Sequence, residues 1–159
     1  VHTGGAVANT GLAMKILGND VSLIGKIGKD AFGNIILDTL NQYHAGEDMI
    51  CDEASSTSYS VVIAIPGIDR VFLHHSGAND TFVADDIDFQ KVEEASLFHF
   101  GYPPLMEALY ANEGEGLMQL MQRVQEKAQQ RRWIWRLWIP MPRPAKSDGI
   151  SSLKRHFRT

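Results

Sequence analysis

The chain has 159 residues, enough for one globular domain with a hydrophobic core. Hydrophobic residues make up 44% and charged residues 21%, which is typical of a globular protein and excludes a disordered or fibrous one. No apolar run reaches the roughly 18 residues of a membrane span. The single cysteine, Cys51, excludes an internal disulfide and favours a reducing, cytoplasmic location.

Helix and strand patterns alternate over the first fifty residues. Apolar residues at i, i+4 spacing predict an amphipathic helix over 6–17, which Gly18 would end. A β-branched apolar run predicts a strand over 21–28. Asp30 is suited to cap a second helix, which would end at Gly46. This alternation predicts an α/β layered fold with a largely parallel sheet.

The middle of the chain has a different pattern. Two strand-like runs, 58–65 and 70–75, flank the turn residues 66–69, which predicts an antiparallel hairpin with a four-residue turn. A polar loop over 76–80 follows. The order indicates a hairpin that projects from the α/β layers.

Three further elements are predicted before the composition changes. A short acidic helix covers 88–95, and a strand covers 97–101, which two prolines end because proline cannot donate to a strand ladder. A long helix within 113–130 carries an apolar stripe. By this rhythm another core strand should follow.

Charge changes sign where that strand should stand. Residues 1–130 hold 7 Lys and Arg against 18 Asp and Glu, whereas residues 131–159 hold 8 against 1. All three tryptophans also lie in the second segment. Such a shift marks a boundary. We therefore expect a globular part over 1–130 and an atypical, poorly ordered basic tail over 131–159.

A shifted reading frame would produce this abrupt change. The hypothesis predicts a family-like continuation after Gln130 in another frame of the encoding DNA. Translation of the other two frames tests it, and the absence of such a continuation would contradict it. The alternative is a genuine basic tail.

The glycine pair Gly4-Gly5 precedes the first helix, and Asn9 lies in its first turn. Glycines there let a ligand approach the backbone, and free amides at a helix start can donate to ligand oxygens. An asparagine offers a donor and an acceptor, which suits a sugar hydroxyl. The alternative from these residues alone is a tight turn with a solvated asparagine.

A second glycine-rich segment spans residues 25–33, GKIGKDAFG. Its glycines permit a turn and close packing between strand and helix, with Asp30 as the helix cap. Neither G-x-G-x-x-G nor the Walker lysine loop occurs, so the segment is not a nucleotide fingerprint. A structural role is favoured over a catalytic one.

In order and spacing, Gly4-Gly5, Asn9, Gly18 and Gly28 resemble the N-terminal signature of the ribokinase-like carbohydrate kinases (phosphofructokinase B type). Four later segments are similar to that family in the family's order: its GxxGxDxxG stretch, the lid over the sugar, the loop returning from the lid, and the next strand. Here they are residues 25–33, residues 58–75, Gly77-Ala78-Asn79, and FHFGYPP at 98–104. Val7 and Gly11 depart from the signature.

The resemblance implies a partial three-layer ribokinase-like fold and ATP-dependent phosphorylation, with Mg²⁺, of a hydroxymethyl group on a sugar, a polyol or a nucleoside. By position, Gly4, Gly5 and Asn9 would contact the substrate, and Asn79 is a weaker candidate. In the family the general base is an aspartate in a Gly-Ala-Gly-Asp motif, which this sequence does not contain. Phosphoryl transfer depends on such positioned groups. We therefore expect an N-terminal portion without the ATP-binding and catalytic half, inactive as it stands.

Other functions are less favoured. A sugar-binding or oligomerisation fragment could use the lid, including as a homodimer, because exposed strands pair readily. Nucleic-acid binding by residues 131–159 would need salt-sensitive binding, and no recognition motif organises that segment. Adjacent histidines, His74 and His75, point to opposite strand faces and do not indicate a metal site. The acidic residues over 80–88 lack an EF-hand pattern.

Overall fold

Residues 2–128 are described by the computed structural model of the protein, and the predicted tail over 131–159 lies outside them. The chain divides after Phe82 into two compact units. No helix within the described part is long and apolar enough to cross a membrane.

The first unit opens with the predicted helix. A π-helical stretch, Val7–Leu12, continues directly into the α-helix α1, Ala13–Ile16. Gly18 ends it as predicted, because it takes the left-handed conformation at φ +87° that glycine adopts without strain. A Cβ on Gly11 would lie 2.3 Å from the Leu23 side chain, so the helix packs closely on the segment before the first strand.

A strand, a helix and a parallel strand follow. Strand β1, Gly25–Gly28, is shorter than the predicted run over 21–28. Helix α2, Ala31–Asn41, leads to β2, Met49–Asp52, a strand that the sequence reading did not include. The two strands pair in parallel, with Gly25 opposite Met49 and Gly28 opposite Asp52. This β–α–β unit agrees with the expected parallel sheet.

Helix α2 ends earlier than predicted. It stops at Asn41, and His44, with φ +52°, takes the left-handed conformation three residues after its end. A Cβ on Gly46 would lie 2.4 Å from the oxygen of the Asn41 side chain, which is exposed and can turn away. One core cluster of the first unit lies against this helix and contains four buried residues: Leu12, Leu23, Leu40 and Ala45.

The predicted hairpin is present. Strands β3, Tyr59–Ile63, and β4, Val71–His75, pair antiparallel, with Tyr59 opposite His75. The connection is longer than predicted, because the last pair is Ile63 with Val71. Gly67 has φ +83° and follows a proline, as in a type II turn. All ten strand residues are exposed. The loop after β4 is a 3₁₀ turn, Gly77–Thr81.

The second unit is helical. A 3₁₀ turn, Ala84–Asp86, leads to α3, Phe89–Glu94, which Asp88 caps by accepting from the Gln90 N–H at 2.9 Å. After a 3₁₀ turn at Pro103–Leu105 comes α4, Glu107–Ala128. The acidic helix and the long helix are confirmed as elements. Buried residues of this unit include Val92, Leu109, Leu117, Leu120 and Val124.

One expectation for this unit is wrong, and one helix contains a break that the sequence did not predict. The segment 97–101 forms no strand in the described residues, because a strand needs a neighbour to receive its backbone hydrogen bonds. Helix α4 is also not continuous: its backbone is non-helical from Ala111 to Gly114, and Asn112 and Glu113 have positive φ. The long helix predicted within 113–130 corresponds to the part of α4 after this break.

Burial predicts a large stability difference between two leucine substitutions in the first unit. Leu40→Ala removes a side chain with 0% exposure and should lower the free energy of unfolding by about 2–5 kcal/mol. Leu17→Ala, at 80% exposure, should change it by less than about 0.5 kcal/mol. Denaturant titration followed by circular dichroism measures both, and equal losses would contradict the assigned core.

Candidate functional site

The glycine pair lies open at the start of the first helix. A Cβ added to Gly4 or Gly5 would have no atom within 4 Å, and Gly5 has φ +77°, which favours glycine. Asn9 is exposed, and in the part of the chain that the structure describes its side chain makes no hydrogen bond. A ligand can therefore reach both the backbone of the pair and the asparagine amide.

Asn79 lies elsewhere in the first unit, in the 3₁₀ turn after β4. It is half-buried, and its Nδ2 donates to Ser58 Oγ at 2.9 Å, immediately before β3. Among the hydrogen bonds of residues 2–128, none joins Asn79 to Gly4, Gly5 or Asn9. The structure thus brings Asn79 to the base of the hairpin and leaves its assignment as a substrate ligand a prediction.

Asp30 has the capping role that the sequence predicts and a second role besides. Its Oδ1 accepts from the Gly33 N–H at 2.8 Å, which satisfies a free amide at the start of α2. The same carboxylate accepts from the Thr57 N–H at 2.7 Å and from the Thr57 hydroxyl at 2.7 Å. Hydrogen bonds from Thr57 N–H, then Gly33 N–H, then the Thr57 hydroxyl hold the pKa of Asp30 below its usual 3.8.

Thr57 is the residue that sequence reasoning missed. It has only 2% exposure, and its Oγ1 accepts from the Gly28 N–H at 2.9 Å. A Cβ on Gly28 would lie 2.4 Å from the Ser55 carbonyl oxygen, so backbone passes against backbone here. The only sequence signal was a threonine just before a strand, within reach of a capping aspartate only after folding.

The other end of the hairpin is tied to the same place. The Ala78 N–H donates to the Ser56 carbonyl oxygen at 2.8 Å. Gly77 has φ +49°, and a Cβ there would lie 2.3 Å from that oxygen. The hairpin is called the lid below, and the four residues Gly28, Asp30, Thr57 and Ala78 are called the lid clamp.

A second carboxylate supports the segment that leads into the clamp. Asp52, at the end of β2, accepts from the Ala54 N–H at 2.9 Å, the Ser55 hydroxyl at 2.9 Å and the Thr81 hydroxyl at 3.0 Å. These hydrogen bonds, in that order, lower the pKa of Asp52. Lys26 Nζ also donates to the Thr81 carbonyl oxygen at 3.0 Å.

The two histidines of β4 form side-chain hydrogen bonds with nearby serines. His75 Nε2 lies 2.7 Å from Ser56 Oγ, and His74 Nδ1 lies 2.8 Å from Ser60 Oγ. Within residues 2–128 no group of three or more His, Cys, Asp or Glu side chains is placed to hold a metal ion.

The sequence profile of the pfkB family carbohydrate kinases matches residues 1–152. The chain belongs to this family. It is 30% identical over 107 residues to probable fructokinase-7 of Arabidopsis thaliana, covering 65% of this chain and 31% of that protein. It is 31% identical over 101 residues to a putative sugar kinase of Pyrococcus horikoshii, covering 63% and 33%. This pfkB chain thus spans about a third of the length of these relatives.

Solved structures confirm the expected ribokinase-like α/β fold of the pfkB chain. A fructokinase from Xylella fastidiosa with bound ATP superposes with a TM-score of 0.72 at 23% identity, covering 94% of this chain and 46% of that one. The Pyrococcus horikoshii sugar kinase gives 0.64 at 26% identity, covering 83% and 42%. Ribokinase from Giardia lamblia gives 0.65 at 17% identity, covering 91% and 42%.

The space around Gly28 and Gly4 predicts that alanine lowers stability at the first position and leaves it unchanged at the second. Gly28→Ala places a methyl group against the Ser55 and Thr57 backbone and should cost about 1–3 kcal/mol of stability or more. Gly4→Ala meets nothing within 4 Å and should leave stability unchanged within about 0.5 kcal/mol. Thermal unfolding of both variants provides the measurement, and a stable Gly28→Ala protein would contradict the close approach.

The lowered pKa of Asp30 predicts a pH dependence. A carboxylate with a depressed folded pKa stabilises the protein above its unfolded pKa, and this contribution is lost as pH falls through the folded value. Asp30→Asn should therefore cost about 1–3 kcal/mol at pH 7. The difference from wild type should shrink as pH falls below 3.8.

Asp38→Asn is the matched control, because Asp38 is an exposed aspartate in the same helix. Urea titrations at stepped pH values give the free energy of unfolding of the three proteins. Asp38→Asn should stay within about 0.5 kcal/mol of wild type. A constant difference between Asp30→Asn and wild type across the range would show that ionised Asp30 does not stabilise the fold.

Proposed function

We propose that this chain forms the sugar-binding portion of an ATP-dependent carbohydrate kinase that phosphorylates a hydroxymethyl group on a sugar or nucleoside. Support comes from the family match over residues 1–152 and from relatives named fructokinase or sugar kinase. The reaction belongs to the whole kinase, and the part contributed here is substrate binding under a lid. A cytoplasmic location goes with this proposal.

The observation that carries the proposal is the open glycine pair. Because nothing lies within 4 Å of a Cβ position at Gly4 or Gly5, a sugar ring can approach the backbone directly. Asn9, one turn later, presents a donor and an acceptor to solvent, as a hydroxyl requires. We propose Gly4, Gly5 and Asn9 as substrate contacts, and Asn79 as a further candidate through its amide oxygen.

The lid supports the same assignment. An isolated two-stranded hairpin is marginal in water, so it needs a surface or ligand to cover it. Its exposed strand residues include Val61, Val62, Phe72 and Leu73. Closing such a ribbon over a bound sugar removes apolar surface and water together, which favours transfer of phosphate to the sugar over transfer to water.

Catalysis needs groups that this sequence does not provide. ATP and Mg²⁺ supply the phosphoryl group and neutralise its charge in such kinases. The family's Gly-Ala-Gly-Asp motif does not occur in the 159 residues. The chain alone therefore binds substrate without turning it over in our proposal, and no catalytic step is assigned to its residues.

A second candidate function is a binding or oligomerisation fragment without catalysis. The observation that favours it is the exposure of Val61, Phe72 and Leu73 on the lid, at 50%, 57% and 56%. Two lids could cover each other and form a homodimer. Light scattering at several protein concentrations tests this, and a monomer at all of them would rule out lid-mediated pairing.

A turnover assay tests whether this chain binds substrate without catalysing its phosphorylation. Because the general-base aspartate motif is absent, the purified chain should consume no ATP above the buffer rate with fructose, ribose or adenosine. A coupled assay of ADP release measures this, with an intact pfkB kinase as the positive control. Substrate-dependent ADP release would contradict the proposed division of labour.

Binding at the glycine pair predicts a selective effect of one asparagine. Asn9→Ala should weaken binding of the sugar that the chain prefers by about 5- to 150-fold, the range for a lost hydrogen bond of about 1–3 kcal/mol. Asn34→Ala, which changes another exposed helical asparagine, should leave the Kd unchanged. Calorimetry with a sugar and nucleoside panel measures both, and equal affinities would remove Asn9 from the site.

A further inference from the structure

Both ends of the lid are fastened to one place in the first unit. The segment that enters the lid is held at Thr57, whose backbone N–H and hydroxyl both donate to Asp30. The segment that leaves the lid is held at Ala78, whose N–H donates to the Ser56 carbonyl oxygen. Asn79 ties the two strands together through Ser58 at 2.9 Å.

The first turn of α2 adds a packing contact to these hydrogen bonds. The ring of Phe32 lies 5.2 Å from the ring of Tyr59, and Tyr59 lies 5.0 Å from His75, its partner across the strands. Phe32 and Asp30 belong to the same helix start. One face of the lid base therefore rests on α2, while Asp30 holds its backbone.

Beyond this base, few packing contacts fix the direction in which the lid points. All ten residues of β3 and β4 are exposed, so side-chain burial does not fix the ribbon's angle. A rigid base is then the remaining determinant of where the ribbon points. Thr57 is well suited to be that base, because it is buried and hydrogen-bonded on both sides, to Gly28 and to Asp30.

We propose that Thr57 and Asp30 are positioning residues that set the direction of the lid, and that sugar affinity depends on them although neither touches the sugar. The second half of this inference rests on the proposed function, since it requires that the lid cover a sugar. The first half, that Thr57 and Asp30 set the direction of the lid, is independent of the proposed function. Closing costs less entropy when the ribbon already points over the site.

The test compares Thr57→Val, Thr57→Ser and Thr39→Val with wild type. Valine keeps the size of threonine and removes its hydroxyl, whereas serine keeps the hydroxyl. Thr39 is the matched control, because its hydroxyl bonds to the Ile35 carbonyl oxygen within α2, at 2.7 Å. Hydrogen exchange with mass spectrometry follows peptides from the lid and from the second unit, and calorimetry measures the Kd for fructose.

In Thr57→Val, exchange of the lid-base amides should rise by about tenfold or more, and exchange in the second unit should stay at the wild-type rate. The Kd for fructose should rise by a similar factor. Thr57→Ser and Thr39→Val should match wild type in both measurements. Phe32→Leu, which leaves all clamp hydrogen bonds in place, should give a smaller local rise. Asp30→Asn, which replaces the carboxylate that accepts both Thr57 hydrogen bonds, should raise lid-base exchange as Thr57→Val does, and it serves if Thr57→Val fails to fold.

Three results would overturn the inference. Unchanged lid exchange, or a uniform rise over the whole chain, would show that Thr57 only stabilises the fold. A local rise with an unchanged Kd would show that lid direction does not control affinity. If wild type itself bound no sugar or nucleoside of the panel, the proposed function would fail, and the exchange data would still decide whether Thr57 and Asp30 hold the lid.

Discussion

The paired hydrogen bonds between Asp30 and Thr57 are the constraint on which the rest of the first unit depends. They join the start of α2 to the segment that enters the lid, 27 residues later in the chain. These hydrogen bonds hold neighbouring backbone segments so close together that a residue with a Cβ atom does not fit between them. A Cβ on Gly33 would lie 2.2 Å from the Gly28 carbonyl oxygen, and one on Gly28 would lie 2.4 Å from the Ser55 oxygen. The glycine spacing of residues 25–33 is therefore a steric requirement of the clamp.

Local chemistry explains which elements the sequence predicted well. The cap at Asp30, the left-handed stop at Gly18 and the hairpin around Gly67 depend on residues within a few positions of one another. Elements that depend on distant partners were predicted less well. Strand β2 has only four residues and is defined by its pairing with β1. The apolar run over 97–101 has strand composition and no strand partner in the described residues.

The candidate site likewise contains residues that the local sequence predicted and residues whose partners are distant in the chain. The open backbone of Gly4 and Gly5 and the exposed amide of Asn9 belong to one short segment, so their order in the sequence already indicated a place for a ligand. The environment of Asn79 could not be inferred, because its partner Ser58 lies on the far side of the lid in sequence. The role of Thr57 could not be inferred for the same reason, because its partner Asp30 lies 27 residues earlier in the chain. The family resemblance placed both segments in order, and the contacts between them required coordinates.

The residues that attach the lid are largely different from the residues of the ribbon that would cover a substrate. Four clamp residues and the neighbouring contacts of Tyr59 and His75 join it to the α/β layers, and the other eight strand residues take no part in that attachment. Substitutions along the ribbon are thus free of the packing constraints that govern Leu40 or Gly28. A ribbon of different length or sequence can be grafted onto the same base, so substrate preference can diversify, in nature or by design, without repeated redesign of the core.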